Sequence, residues 1–315
     1  MRHCDRHWTS AASRSAGMRA EVIDALTPPG GEGCAGSSTR AANSSSCEDL
    51  SGGVMNDPFA RKSGLQRAAH CAVDAVVGNR WGSIRSVRTC QPLVALTFDD
   101  GPHEEWTPRV LDILAARGFH ATFFMLVENA RRLPMVVNRV VAEGHEIGLH
   151  GFDHHSLAGG SRRSTRLELA AAAAELAMIS GEHVKYFRPP FGAQSVGSFL
   201  GERDAGLETV MWDLDSFDWS GLGEREVASE VIARTEPGSI VLLHDTLADD
   251  PDCAFDRAAA TELIVDGLRR RALQSTTVSG LLESGAVRRA AYFSLSTWGG
   301  SGVRAPVPLR AGRHR

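Results

Sequence analysis

From residue 91 onward, short apolar runs alternate with stretches that repeat at helical spacing, and this constrains the fold more than any other feature. Residues 93–98 form a continuous apolar run, suited to a strand buried on both faces. Thr107-Pro108 then reads as an N-cap and an N1 proline, opening a helix that stops at Gly118. A second strand is expected over 121–126, and a helix around 134–143 leads to a short strand over 145–149. Thr165 and Glu168 read as a capping box for an Ala-rich helix ending at Gly181. Later strands are expected at 184–187, 208–212, 239–243 and 275–278, with helices near 224–234 and 256–271. Such alternation is the mark of βα units around a mostly parallel sheet or barrel. The count is about seven strands, one short of a regular eight-stranded barrel.

The ends of the chain read differently. Residues 1–54 are rich in Ser, Gly and Ala and carry no apolar periodicity, so a disordered extension is expected there. Residues 55–90 read as a lead-in with a short helix over 64–79, and residues 285–315 as a basic tail. Charge follows the same division. Residues 91–283 hold 30 acidic against 17 basic side chains, although the whole chain is only −4. A middle that acidic repels a phosphate backbone, so nucleic acid is excluded as a partner. No apolar run approaches the roughly 18 to 20 residues that cross a bilayer. Nor does an apolar stretch of signal-peptide type follow Met1. A cytoplasmic location is the expectation, with export or a cell-envelope location if translation starts at Met18 or Met55. Cys4, Cys34, Cys47, Cys71, Cys90 and Cys253 form no CxxC pair and read as free thiols rather than a disulfide framework.

Five short motifs follow successive strands. Asp99-Asp100-Gly101-Pro102 places two carboxylates at a strand end, where a bend lets both reach a barrel mouth; alone, it could equally be turn chemistry. Adjacent acids do not match the separated carboxylates of a glycosidase. His150 and His154, four apart, could share a metal, and with one Asp would leave positions open for water and substrate. His155 is one residue out of phase. Arg188-Pro189-Pro190-Phe191-Gly192 could present an arginine to a carboxylate, or be a stiff surface turn. Asp213, Asp215 and Asp218 lie between Trp212 and Trp219, which could be core or a sugar-stacking wall. His244 ends the sixth strand, where a lone histidine is more often structural than catalytic.

In this order the five motifs resemble those of the polysaccharide deacetylases, the NodB-homology or carbohydrate esterase family 4 domain, over about residues 91–284. The resemblance implies a distorted (β/α) barrel and a metal-dependent hydrolase that removes acetyl groups from an N-acetylated sugar, with O-acetyl groups as a variant. It implies Asp99 as catalytic base, and Asp100, His150 and His154 as ligands of one divalent ion, zinc foremost, with cobalt or another ion possible. Arg188 and Asp215 would orient and tune the base and the acid. Phe191 would offer its backbone N–H to the oxyanion, Trp219 and Leu242 would line the acetyl pocket, and His244 would be the general acid. Gly151 departs from the Ser or Thr usual after the first histidine, and Phe191 from the frequent Tyr. The alternatives are an amidohydrolase of the same fold acting on a small or cyclic amide, and a non-catalytic carbohydrate-binding protein.

Overall fold

β2 (Leu93–Asp99) is the strand around which the sheet is laid. The structure is a computed structural model, and residues 81–291 are the ones described. The chain divides into two units, Met1–Asp57 and Pro58–Arg315, and the described residues belong to the second. β3 (Ala121–Leu126), β4 (Glu146–Gly151), β5 (Tyr186–Phe187) and β6 (Glu208–Thr209) extend the sheet on one side of β2. β8 (Ile240–His244) and β7 (Leu214–Asp215) extend it on the other. These seven strands are parallel, in the order β6-β5-β4-β3-β2-β8-β7, and curl into an open half-barrel. The expected count of seven holds, but β7 takes the place of the strand expected over 275–278. β9 (Gln274–Ser275) adds a short pairing at the start of β2.

Strand parity decides what faces where. Val94, Leu96 and Phe98 of β2, with Val241 and Leu243 of β8 and Ile147 and Leu149 of β4, join the main apolar core shared with the helices. The intervening residues turn to the other face, since successive side chains alternate. There Ala95, Phe124, Tyr186 and Ile240 form a second apolar cluster. The same parity sends Thr97, Asp99, His150, Leu242 and His244 to that inner face.

Several local expectations are corrected. The helix Trp106–Arg117 starts one residue before Thr107 and is capped by no side chain, because the Thr107 hydroxyl donates instead to Asp245. Gly118 ends it in the left-handed conformation, as expected. The Ala-rich helix Arg162–Ser180 is capped by Ser161 and Ser164 rather than Thr165 and Glu168. Residues 275–278 are not a strand of their own: β9 ends at Ser275, and Thr277 caps the helix Val278–Glu283. The helices Val127–Arg132 and Val196–Asp204 were not anticipated.

The domain edges also move. β1 (Ser83–Arg88) lies in the segment read as a helical lead-in, and β10 (Ala286–Ala290) in the segment read as a tail. They pair antiparallel with each other, so the fold takes in residues on both sides of 91–284. The helix expected over 64–79 and the disorder expected over 1–54 fall outside the described residues. Among the described residues, no helix is long and apolar enough to cross a membrane.

Candidate active site

Asp99 is the last residue of β2, and Asp100 follows with φ 74°, in the left-handed region. That local reversal lets consecutive carboxylates serve one site when strand parity alone would separate them. Both side chains are buried. The Asp100 carbonyl accepts Asn129 Nδ2–H at 2.8 Å, and the Gly101 carbonyl accepts the Leu126 amide at 2.9 Å, which ties the turn to the end of β3.

Arg188 is wholly enclosed, not a surface turn residue. Its Nη1 donates to Asp99 Oδ1 and Thr97 Oγ1, both at 2.7 Å, while Nε donates to the Val210 carbonyl at 3.0 Å and Nη2 to the Met211 carbonyl at 3.2 Å. Its guanidinium also packs over Phe124, 4.1 Å from the ring centre. Removing one partner of a buried ion pair typically costs ~3 to 5 kcal/mol, so Asp99 is strongly held through one oxygen. The Arg188 carbonyl also accepts His150 Nδ1–H at 2.8 Å. A carbonyl can only accept, so the proton is on Nδ1 and the neutral ring presents a lone pair at Nε2.

That lone pair faces Asp100. His150 Nε2 stands 3.2 Å and His154 Nε2 3.4 Å from Asp100 Oδ1, and Oδ1 is a buried oxygen with no hydrogen-bond partner. The three ligand atoms lie within 4.8 Å of one another. His150 Nε2 and Asp100 Oδ1 are thus facing acceptors with no proton between them, which fits a cation at the centre of the cluster. The residues present therefore suit a divalent ion with open positions. His155 turns away, pairing with Asp153 and, at 3.1 Å, with Glu168.

His244 lies opposite Asp99 in the β2–β8 register. Here the expected assignment of Asp215 needs correction. His244 Nδ1–H donates to Asp218 Oδ1 at 2.7 Å, and the His244 amide donates to Asp218 Oδ2 at 2.9 Å. Asp215 Oδ1 instead accepts the Phe217 amide at 2.8 Å and Trp219 Nε1–H at 3.4 Å, bracing the loop that carries the indole. Asp215 ends β7 next to Leu242, whereas Asp218 comes after the turn at Phe217 (φ 57°), which brings it under His244. Arg257 Nη1 donates to Asp218 Oδ2 at 3.2 Å and to the His244 carbonyl at 3.3 Å. Burial lowers the His244 pKa, but the charge and hydrogen bond of Asp218, with Asp100 and Asp99 behind them, push it up to about 9.

Around these groups, Phe191 (φ 60°) places its exposed ring 4.2 Å from the His154 ring centre. Trp219 is half exposed, and Leu242 is buried two residues before His244 on the same side of β8. Gly151 has φ 121°, and a Cβ there would stand 3.0 Å from the Asp153 carbonyl, so a Ser or Thr would be strained in this loop. Sequence reasoning missed Asp218, Arg257, Thr97 and Asn129. Asp218 could have been suspected, since it directly precedes Trp219; a buried Arg257 at a helix start carries no sequence signal.

A family model described as polysaccharide deacetylase matches residues 86–210. The chain is 32% identical over 196 residues to a peptidoglycan-N-acetylglucosamine deacetylase of Bacillus cereus, covering 62% of this chain and 70% of that protein. It is 39% identical over 163 residues to a chitooligosaccharide deacetylase of Sinorhizobium fredii, covering 51% and 76%. The solved structure of a family 4 acetyl xylan esterase from Clostridium thermocellum, in complex with a cobalt ion, matches with a TM-score of 0.55 and 31% identity, over 61% of this chain and 90% of that one.

Proposed function

The chain belongs to the polysaccharide deacetylase family, and on that footing we propose that it hydrolyses N-acetyl groups on a glycan containing N-acetylglucosamine. The observation that carries the proposal is the convergence on one mouth of a tethered carboxylate, an Asp-His-His cluster and a carboxylate-held histidine. The relatives named as deacetylases of chitooligosaccharide and of peptidoglycan N-acetylglucosamine support that substrate class.

Asp100, His150 and His154 would hold the metal, zinc in this proposal. When bound, the ion supplies Lewis acidity, polarising the acetyl carbonyl and acidifying water. Asp99 takes the proton of the attacking water, with Arg188 holding Oδ1 so that Oδ2 is the working oxygen. The Phe191 backbone N–H donates to the developing oxyanion. His244, protonated at neutral pH, gives its Nε2 proton to the departing sugar amine, which cannot leave as an anion. Asp218 accepts the Nδ1 proton, so the proton that His244 can give up is the one on Nε2, and Arg257 fixes Asp218. Leu242 and Trp219 flank the acetyl methyl.

Acetate release across a panel of chito-oligosaccharide, peptidoglycan and acetylated xylan tests the substrate class. The expected result is release from one or both N-acetylated glycans. Release from acetylated xylan alone would contradict it.

A further inference from the structure

Each ligand histidine has a partner on the ring nitrogen turned away from Asp100. For His150 it is the Arg188 carbonyl. For His154 it is Asp249, whose Oδ2 stands 3.4 Å from Nδ1. That Nδ1 is buried and makes no hydrogen bond among the described residues. Asp249 comes from the loop between β8 and the helix Arg257–Arg270, which supplies none of the three ligands. One residue earlier, Ala248 donates its amide to Asp100 Oδ2 at 2.9 Å. Two successive residues of one loop thus meet two of the three ligands, each at an atom other than the ones that converge.

We infer that residues 248–249 act as a clasp on the metal centre, with Asp249 the positioning residue for His154. The inference rests on the metal-dependent reading above and deepens it. A carboxylate beside the outer nitrogen of a ligand histidine favours a proton there and so leaves the lone pair on the ligating nitrogen; where the two are fully hydrogen-bonded, losing such a partner typically costs ~10- to 100-fold in metal affinity. At 3.4 Å, with the Asp249 side chain 69% exposed, the lower end of that range applies. The Ala248 contact is made by backbone, so Asp249→Asn removes the carboxylate and leaves the loop's grip on Asp100.

The test is zinc titration of the full-length chain, stripped of metal and set in competition with a chromophoric chelator. Asp249→Asn is expected to bind zinc about tenfold more weakly and to lose it faster to the chelator. Its metal-free melting temperature should equal the parent's, since the side chain is exposed. Asp252→Asn, which removes the same charge from the same loop, should match the parent. An Asp249→Asn affinity within twofold of the parent overturns the inference, as does an equal weakening by Asp252→Asn, which would make the effect one of net charge. A parent that binds no zinc, or binds it equally well as His150→Ala, overturns the metal-dependent reading and the inference with it.

Discussion

Asp99 and Asp100 are chain neighbours with different surroundings, and their substitutions should fail differently. Asp99 is paired to a buried guanidinium, whereas Asp100 Oδ1 faces two imidazole nitrogens. Asp99→Asn should keep the metal and lose ~10²- to 10⁴-fold in rate as the proton acceptor disappears. Asp100→Asn should weaken metal binding and regain part of its rate in excess metal. Equal rescue of both variants would refute the division of roles. At the acid, the sign of the pH effect is set by Asp218. His244 must be protonated to act, so activity falls as pH rises through its pKa of about 9. Asp218→Asn removes the largest contribution that raises this pKa and leaves burial, which lowers it. The alkaline limb of the rate profile should therefore move to lower pH. An unmoved limb would mean that Asp218 does not tune the acid. The sequence reading named Asp215 rather than Asp218, because the left-handed residue at Phe217 that brings Asp218 to His244 is announced by no backbone signal of its own.

At the scale of elements, the turn after β2 is the critical one. Gly101 lies directly against Asp245: a Cβ there would stand 2.4 Å from both carboxylate oxygens. Asp245 is fully buried, its pKa pushed up to about 7 by burial while the Thr107 hydroxyl works against that shift. Gly101→Ala should destabilise the fold by about 1 to 3 kcal/mol through overpacking. By shifting Asp99 and Asp100 it should also cost on the order of 10²-fold in rate. Chemical denaturation and acetate release measure the two effects, and a fully active, equally stable variant would show the turn to be more yielding than its packing. Long elements were readable: residues 121–126 and the Ala-rich helix follow from hydrophobic runs and terminal glycines. Two-residue strands such as β5 and β7 were placed only coarsely or missed, since their pairing is dictated by neighbours rather than by their own composition. The N-caps were misread where a hydroxyl was recruited elsewhere, as at Thr107, or where a second candidate lay four residues upstream, as at Ser161.

For the whole molecule, the fold reaches beyond the span carrying the motifs. Ile84 and Val87 of β1 are buried in the inner apolar cluster with Phe124, Tyr186, Val210 and Ile240. The Met211 amide donates to the Ile84 carbonyl at 2.8 Å, and the Val87 amide to the Gly238 carbonyl at 2.9 Å. Burying two such side chains stabilises by roughly 3 to 6 kcal/mol. At ~2 to 4 °C per kcal/mol for a domain of this size, a chain trimmed to 91–284 should melt roughly 6 to 24 °C below one trimmed to 81–291. Equal melting temperatures would return the boundary to residues 91 and 284. The motifs were legible because the chemistry needs particular side chains; β1 and β10 were not, because their pairing joins residues about 200 positions apart.

The central claim is that the Asp100-His150-His154 cluster serves metal-dependent deacetylation, and the most direct measurement is acetate release from an N-acetylated chito-oligosaccharide by the full-length chain before chelation, after it, and after zinc is returned. The account predicts release that chelation abolishes and zinc restores, with His150→Ala inactive at the zinc level that restores the parent. Release that survives complete removal of metal, or that His150→Ala retains in full, would contradict it.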